Sequence, residues 1–494
     1  MSTTDSLAAG RARLREGAAT LFCCLLASAA LLLLCTQSSP LYPTNTWADA
    51  NCLLTVGRVM RAGGVLYRDI YEQKGPTLYL LHALAACISD TSFLGVFILE
   101  VLSLTAALTA ACRLLRRCLS LPFSLAGGVL LGAAMLVSSA FAQGDSAEEF
   151  CLPLLLGALL IAVCEYEREA GPMRPSLLFV CGLLAGGVAT IKYTMLGQFI
   201  GLCAVEGVLA LRRGGFTRAL RSAGVFLAGM AAPVALWAAY FAANGALDDA
   251  FTAYIVNNTT LYDGGSSSMG WASLPGYLLR NALWILPAAL GLLHTALRRD
   301  MSPAARAAVL AMAGGQLVAV CFLGRVWPYC PLALSAFSTL GFGILLAWGA
   351  RHGRWFSRAA LPLSAAAALA LAFFASPNAP VRGVPYEETA QARLARYLEP
   401  GATLLQYSHL DDGLYLASGT LPQEKYFVRL NVNLPEMQEA LDRYVEQALP
   451  DYVLISWRPL PERFDRYQLI ATDAGYDDAS RINKMLYLYR RKSP

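Results

Sequence analysis

Long apolar runs alternate with short charged connectors along most of this chain. Runs of about 20 apolar residues, the length a helix needs to cross a bilayer, lie near 18–38, 92–112, 122–142, 147–164, 175–192, 193–211, 220–243, 276–297, 305–323, 328–349 and 358–376. They predict a polytopic α-helical membrane protein with about 11 transmembrane helices. One further stretch, TLYLLHALAACISD at 77–90, is apolar but short. Arginine placement decides its role. If it does not cross, RARLR (11–15), RLLRR (113–117), EYEREAGPMR (165–174), RRGGFTRALR (212–221), LRRD (297–300) and RHGRWFSR (351–358) all fall on one face, as the positive-inside bias requires. If it crosses, every cluster after the first flips outward. The stretch is therefore expected to be an interfacial or re-entrant helix, with the N-terminus cytoplasmic.

After Pro377, Pro380 and Pro385 the pattern changes. TLLQYS (403–408), YVLIS (452–456), YQLIAT (467–472) and MLYLYR (485–490) read as strands, and 388–398 and 434–449 carry helical periodicity. The expectation is a transmembrane domain over 1–376, with a first outer loop at 39–91, followed by a small extracytoplasmic α/β domain over 377–494.

Composition sharpens the class. With 56% hydrophobic and 15% charged residues over 494 positions, the chain is far more apolar than a soluble protein. RARLR followed by LFCCLLASAALLLLC has the outline of a signal peptide without a small-residue cleavage site, so it reads as an uncleaved first helix. Most of the 13 cysteines, such as Cys23, Cys24, Cys112, Cys181 and Cys203, lie in apolar runs as small core residues. The net charge of +5 follows from topology and calls for no nucleic-acid partner. No GxxxxGK[ST] loop suggests a nucleotide site.

Candidate chemistry concentrates between Trp47 and His82. On a helix from about Trp47 to Arg61, Asp49 shares a stripe with Leu53, Val56 and Met60, which turns its carboxylate to the buried face; Thr46 and Asp49 also fit a capping box. Lys74, before Gly75-Pro76, is held extended where an ammonium meets a lipid phosphate, or snorkels to the interface. Asp145, Glu148 and Glu149 stand at the entrance of a span, where acids also serve as caps. Arg325, in LGRVWPY, pairs with a phosphate or anchors the interface. Glu100 lies mid-span and needs a partner; Glu206 is near an inner end and snorkels.

The pattern G-x-L-Y-x-D-x-Y-x-x-K-G-P-x-L-Y from Gly64 to Tyr79, with the early acid and the acidic second outer turn, resembles the GT-C membrane glycosyltransferases. It is most similar to the dolichyl-phosphate-mannose-protein mannosyltransferase-like group, glycosyltransferase family 39, and its bacterial relatives such as the lipid A aminoarabinose transferases. The likeness spans roughly 18–350, and GLYLASGTLPQEKYF and PDYVLIS resemble the outer domains of bacterial members.

The resemblance implies a multi-pass plasma (inner) membrane enzyme that transfers a hexosyl or pentosyl unit. The donor is a polyprenyl-phosphate sugar held in the bilayer, and the acceptor an extracytoplasmic glycan, lipid or protein. Asp49 would be general base or acceptor-orienting group, Lys74 the donor-phosphate ligand, and one of Asp145, Glu148 and Glu149, with Glu148 favoured, the second acid. Arg58, Arg61, Arg68, Tyr67, Tyr71 and Arg325 are further candidates for the donor phosphate. Two departures from the pattern are Ala50, where many relatives have a second acid, and Gly-Pro rather than Pro-Pro after Lys74.

Attack on an anomeric carbon needs a deprotonated hydroxyl and a stabilised leaving group, so a carboxylate and a cation are the minimum. No two carboxylates sit at convincing ligand spacing, so no cofactor is expected, although the acids leave room for a divalent ion. A transporter, suggested by Glu100 and the glycine-rich 182–192, or an inactive homologue that binds an envelope polymer, are the competing readings.

Overall fold

The structure, a computed structural model, describes residues 3–168, 171–261, 273–321, 327–351, 354–477 and 482–492. The chain divides into two compact units, Met1–Thr36 with Glu100–Val234 and Met269–Ala379, and Gln37–Leu99 with Ala235–Ser268 and Pro380–Pro494.

Helices form where the apolar runs predict them: α1 (Thr3–Cys35), α2 (Ala48–Arg61), α3 (Pro76–Ile88), α4 (Leu94–Leu115), α5 (Leu121–Leu136), α6 (Ala147–Arg168), α7 (Pro175–Lys192) and α8 (Gly197–Ala243). They continue with Leu274–Arg280, Ala282–Leu297, Pro303–Cys321, Ser338–Ala350 and Arg354–Ala375. Among the described residues, seven helices are long and apolar enough to cross a membrane, or eight if Leu274–Arg280 and Ala282–Leu297, bent by 88°, are one span. The protein is a multi-pass membrane protein. Within α8 the helix breaks at Gly214 and Gly215, the latter at φ +64° and ψ −166°. That backbone is open essentially only to glycine. The break falls in RRGGFTRALR, so the runs 193–211 and 220–243 become its two arms.

Small residues set the packing of the first unit. A Cβ on Gly341 would meet the Pro287 carbonyl at 1.9 Å, and one on Gly201 the Ala311 carbonyl at 2.0 Å. Backbones touch at these crossings, which suits membranes, where helices associate by close van der Waals fit.

In the second unit, α2 and α3 pack closely at Gly57, whose added Cβ would lie 2.5 Å from the His82 backbone. Ala50, Leu54, Ala85, Ala86, Phe93, Val96 and Leu416 form a buried cluster there. The C-terminal segment folds as a four-stranded sheet ordered β1-β2-β4-β3. Strand β1 (Leu404–Gln406) runs parallel to β2 (Tyr452–Ser456), while β2 with β4 (Ile482–Arg491) and β4 with β3 (Tyr467–Asp477) are antiparallel. The parallel pair requires a crossover, and the helix Pro435–Glu446 lies in it, burying Met437, Ala440, Leu441, Tyr444 and Val445. All four strands lie where the alternation predicts, and the helices Ala390–Ala395 and Pro435–Glu446 fall within the two stretches of helical periodicity.

Candidate functional site

Two clusters of charge stand out, one in each unit. In the second unit, Lys74 Nζ lies 3.3 Å from Asp49 Oδ1 and 3.4 Å from Glu72 Oε1. Asp49 is buried on α2, as its stripe predicts. The N-cap of that helix is Trp47, and Thr46 Oγ1 donates to Gln37 Oε1 at 2.8 Å. The Asp49 carboxylate is thus paired with a cation 25 residues along the chain. Burial opposes the Lys74 ammonium, but Asp49 and then Glu72 outweigh it and hold the group above the usual lysine value.

Glu72, fully buried, was not singled out by the sequence reading. Its Oε2 accepts from the backbone N–H groups of Gln73 and Lys74 at 2.9 and 3.1 Å, which fixes the carboxylate beneath the lysine. The available signal was an acid at an unspecified position of the motif.

The loop that carries Lys74 is braced on several sides. Tyr67, at φ +67°, donates its hydroxyl to the Lys74 carbonyl at 2.6 Å. The Tyr71 hydroxyl accepts from Asn257 Nδ2 at 2.8 Å, and the Gln73 carbonyl accepts from Asn258 at 2.6 Å. Trp237 Nε1 donates to Thr77 Oγ1 at 2.8 Å. The two tyrosines therefore act on the loop's shape. The arginines lie apart from Lys74's ion pairs. Arg58 is buried and donates to the Tyr415 and Thr420 carbonyls at 3.1 and 3.0 Å, Arg61 pairs with Asp90, and Arg68 pairs with Asp69 at 2.7 Å.

In the first unit the acidic turn at 143–150 enters α6. Glu148 pairs with Lys192 at 2.5 Å, and Lys192 lies 5.2 Å from the Tyr329 ring centroid and 3.7 Å from Cys330 Sγ. Lys192 was missed as a site residue, its only signal being a lysine that closes an apolar run. The mid-span Glu100 does have partners: it accepts from Thr36 Oγ1 at 2.9 Å and from the Asp145 N–H at 2.9 Å. Glu149 Oε2 accepts from the same N–H at 3.2 Å. The turn needs Gly144, at φ +88°, where a Cβ would meet Thr36 Oγ1 at 2.2 Å. Arg325 lies outside the described residues. Among the described residues no three His, Cys, Asp or Glu side chains are grouped to hold a metal.

No family model matches this chain, and no curated protein matches it in sequence. Solved structures do match. ArnT from Cupriavidus metallidurans in the apo state superposes with a TM-score of 0.61 at 13% identity, covering 97% of this chain and 98% of that one. The same protein bound to undecaprenyl phosphate gives 0.58 at 15% identity, covering 94% and 97%. This chain has the GT-C fold. The archaeal oligosaccharyltransferase AglB from Archaeoglobus fulgidus, in complex with an inhibitory peptide and a dolichol-phosphate, gives 0.50 at 12% identity, covering 88% of this chain and 69% of that one.

Proposed function

We propose that this protein is a membrane glycosyltransferase that moves a sugar from a polyprenyl-phosphate donor to an extracytoplasmic acceptor. The observation that carries the reading is Lys74 Nζ seated between Asp49 and Glu72 on a braced loop of a GT-C fold. Undecaprenyl phosphate in the ArnT structure and dolichol-phosphate in the AglB structure support a polyprenyl-phosphate ligand. Lys74 is the donor-phosphate ligand and Asp49 the base.

Both roles follow from one exchange of partners. When a phosphate oxyanion takes the ammonium, Asp49 loses its counter-ion and becomes free to receive the acceptor hydroxyl's proton. The hydroxyl oxygen then bonds to the anomeric carbon while the bond to the phosphate breaks and polyprenyl phosphate leaves. Glu72 keeps a carboxylate under Lys74 throughout, so the lysine stays cationic. Glu148, paired with Lys192, is the second acid of the proposal. The topology that places this chemistry outside the cytoplasm has the N-terminus inside and the plasma membrane as its location.

Full-length protein in lipid nanodiscs, given a labelled undecaprenyl-phosphate sugar and a cell-envelope extract, tests the reading. Labelled acceptor and free undecaprenyl phosphate are the expected products. Asp49→Asn is expected to cut transfer by about 100-fold or more, as loss of a general base does, with donor binding retained. Unaltered transfer in that variant removes Asp49 as base. Label that enters proteoliposomes with no covalent transfer would replace the enzyme by a transporter.

A further inference from the structure

The strand order β1-β2-β4-β3 leaves one side of β1, in the second unit, without a strand. On its paired side the ladder with β2 is parallel, with Leu404 opposite Tyr452 and Gln406 opposite Leu454. The Tyr452 N–H donates to the Thr403 carbonyl at 3.0 Å, and the Tyr407 N–H to the Leu454 carbonyl at 2.8 Å. Main-chain groups alternate sides along a strand, so Thr403, Leu405 and Tyr407 turn theirs toward β2 while Leu404 and Gln406 turn theirs away. On that outer side the Gln406 N–H donates to the Tyr415 hydroxyl at 3.3 Å. The Leu404 N–H and carbonyl have no partner among the described residues. Leu404 is buried, which makes an unmet donor and acceptor costly.

A cavity of about 310 Å³ lies against this strand, a size at the lower end for ligand sites. Leu404, Tyr415, Glu424, Phe427 and Tyr444 are among the residues that line it. Tyr415 both receives the Gln406 N–H and borders the cavity, so the open side of β1 faces in. The buried rings of Tyr415, Phe427 and Tyr444 give it an apolar wall. Glu424 is partly buried and forms no ion pair among the described residues. Burial pushes its carboxyl above the usual carboxylate value, and the charge of Arg443 offsets part of that. The cleft thus offers a main-chain donor, a main-chain acceptor and a carboxylate in need of a cation.

We infer that this cleft binds an extended peptide with a basic side chain, one peptide residue pairing its N–H and carbonyl with those of Leu404 while a neighbouring lysine or arginine meets Glu424. An unpaired strand edge is a template for such pairing, and side-chain pockets beside it select the sequence. The acetamido group of a sugar points its N–H and carbonyl in opposite directions and cannot meet both groups of Leu404, whereas one residue of an extended chain presents both on one side. The site goes beyond the proposed transfer reaction and takes no part in its chemistry.

Fluorescence anisotropy of full-length protein in nanodiscs with the fluorescein-labelled peptide Gly-Thr-Val-Lys-Val-Thr-amide tests the inference. Saturable binding is expected. Glu424→Gln is expected to weaken it about 5-fold, as loss of a partly buried ion pair does, and to leave binding of the Val-Gln-Val version unchanged, which shows that the cleft is still folded. Methylating alternate main-chain nitrogens of the peptide isolates the strand pairing. In one phase it removes the N–H that meets Leu404 and is expected to weaken binding about 10-fold, while the other phase binds as before. Equal binding in the two phases, undiminished binding of the lysine peptide by Glu424→Gln, or no binding at millimolar peptide overturns the inference. No readout here uses a sugar donor, so failure of the cleft leaves the proposed function standing, and absence of transfer leaves the cleft standing.

Discussion

Asp411 shows how one buried carboxyl can tie two distant stretches of chain together. It accepts hydrogen bonds from Thr55, from the Gly413 N–H at 2.7 Å and from Gln406 Nε2 at 2.5 Å, yet burial still pushes its pKa up to about 6. Between the ordinary carboxylate value and about 6, the folded chain holds this proton more tightly than the unfolded chain. Stability from this group is therefore greatest at low pH and falls as pH rises through that window. Asparagine can keep the contacts, its oxygen facing Gln406 and Gly413 and its amide donating to Thr55 once that hydroxyl rotates. Asp411→Asn is expected to be more stable than the parent at pH 7, by up to about 3 kcal/mol, and the advantage should vanish near pH 4. Melting curves across that range check it, and a gap independent of pH would contradict the buried charge. At Lys74 the partner set predicts that Glu72→Gln weakens donor binding less than Lys74→Met, because the cation survives with one acid beside it. Donor titration separates the two.

At the scale of elements, hydropathy located helices well and their interruptions poorly. The runs at 193–211 and 220–243 were legible, and so was the basic connector between them. What the pattern lacks is the reason for the break, the backbone of Gly215. Likewise no periodicity distinguishes a glycine that lets two helices touch from one that faces open space. Gly341→Ala would drive a methyl into the Pro287 carbonyl, whereas Gly314→Ala meets nothing within 4 Å. The first is expected to destabilise by about 1–3 kcal/mol or more, the cost of overpacking, and the second to leave the melting temperature unchanged or slightly higher. Thermal unfolding of the two variants in detergent is the comparison. Equal effects would mean that the crossing of Ala282–Leu297 with Ser338–Ala350 is loose.

For the whole molecule, a fold shared at 13–15% identity with ArnT means that few individual side chains are needed to specify it. What persists is a sequence of apolar lengths and polar interruptions, which is why the helical runs and the C-terminal sheet could be read directly, although among the described residues seven or eight helices, and not the 11 expected, are long and apolar enough to cross a membrane. The orientation proposed from arginine placement makes a separate expectation. Cysteines placed in 212–221 should resist a membrane-impermeant thiol reagent in intact cells, and cysteines in the 377–494 segment should react. The opposite labelling would move Asp49 and Lys74 to the cytoplasmic face.

The sequence alone determined the membrane class, the helical runs, the strands of the C-terminal segment, and the loop in which Asp49 and Lys74 lie. These depend on hydropathy and local pattern, which neighbours along the chain carry. Only the tertiary structure decided that Lys74 sits between Asp49 and Glu72, that Lys192 pairs with Glu148, and that Asp411 binds Thr55. Those partners are 25, 44 and 356 residues apart, apart from Glu72, which lies inside the motif at a position the pattern left open. An ion pair is set by distance in space, and a period of two or 3.6 residues carries no information about contacts so far along the chain.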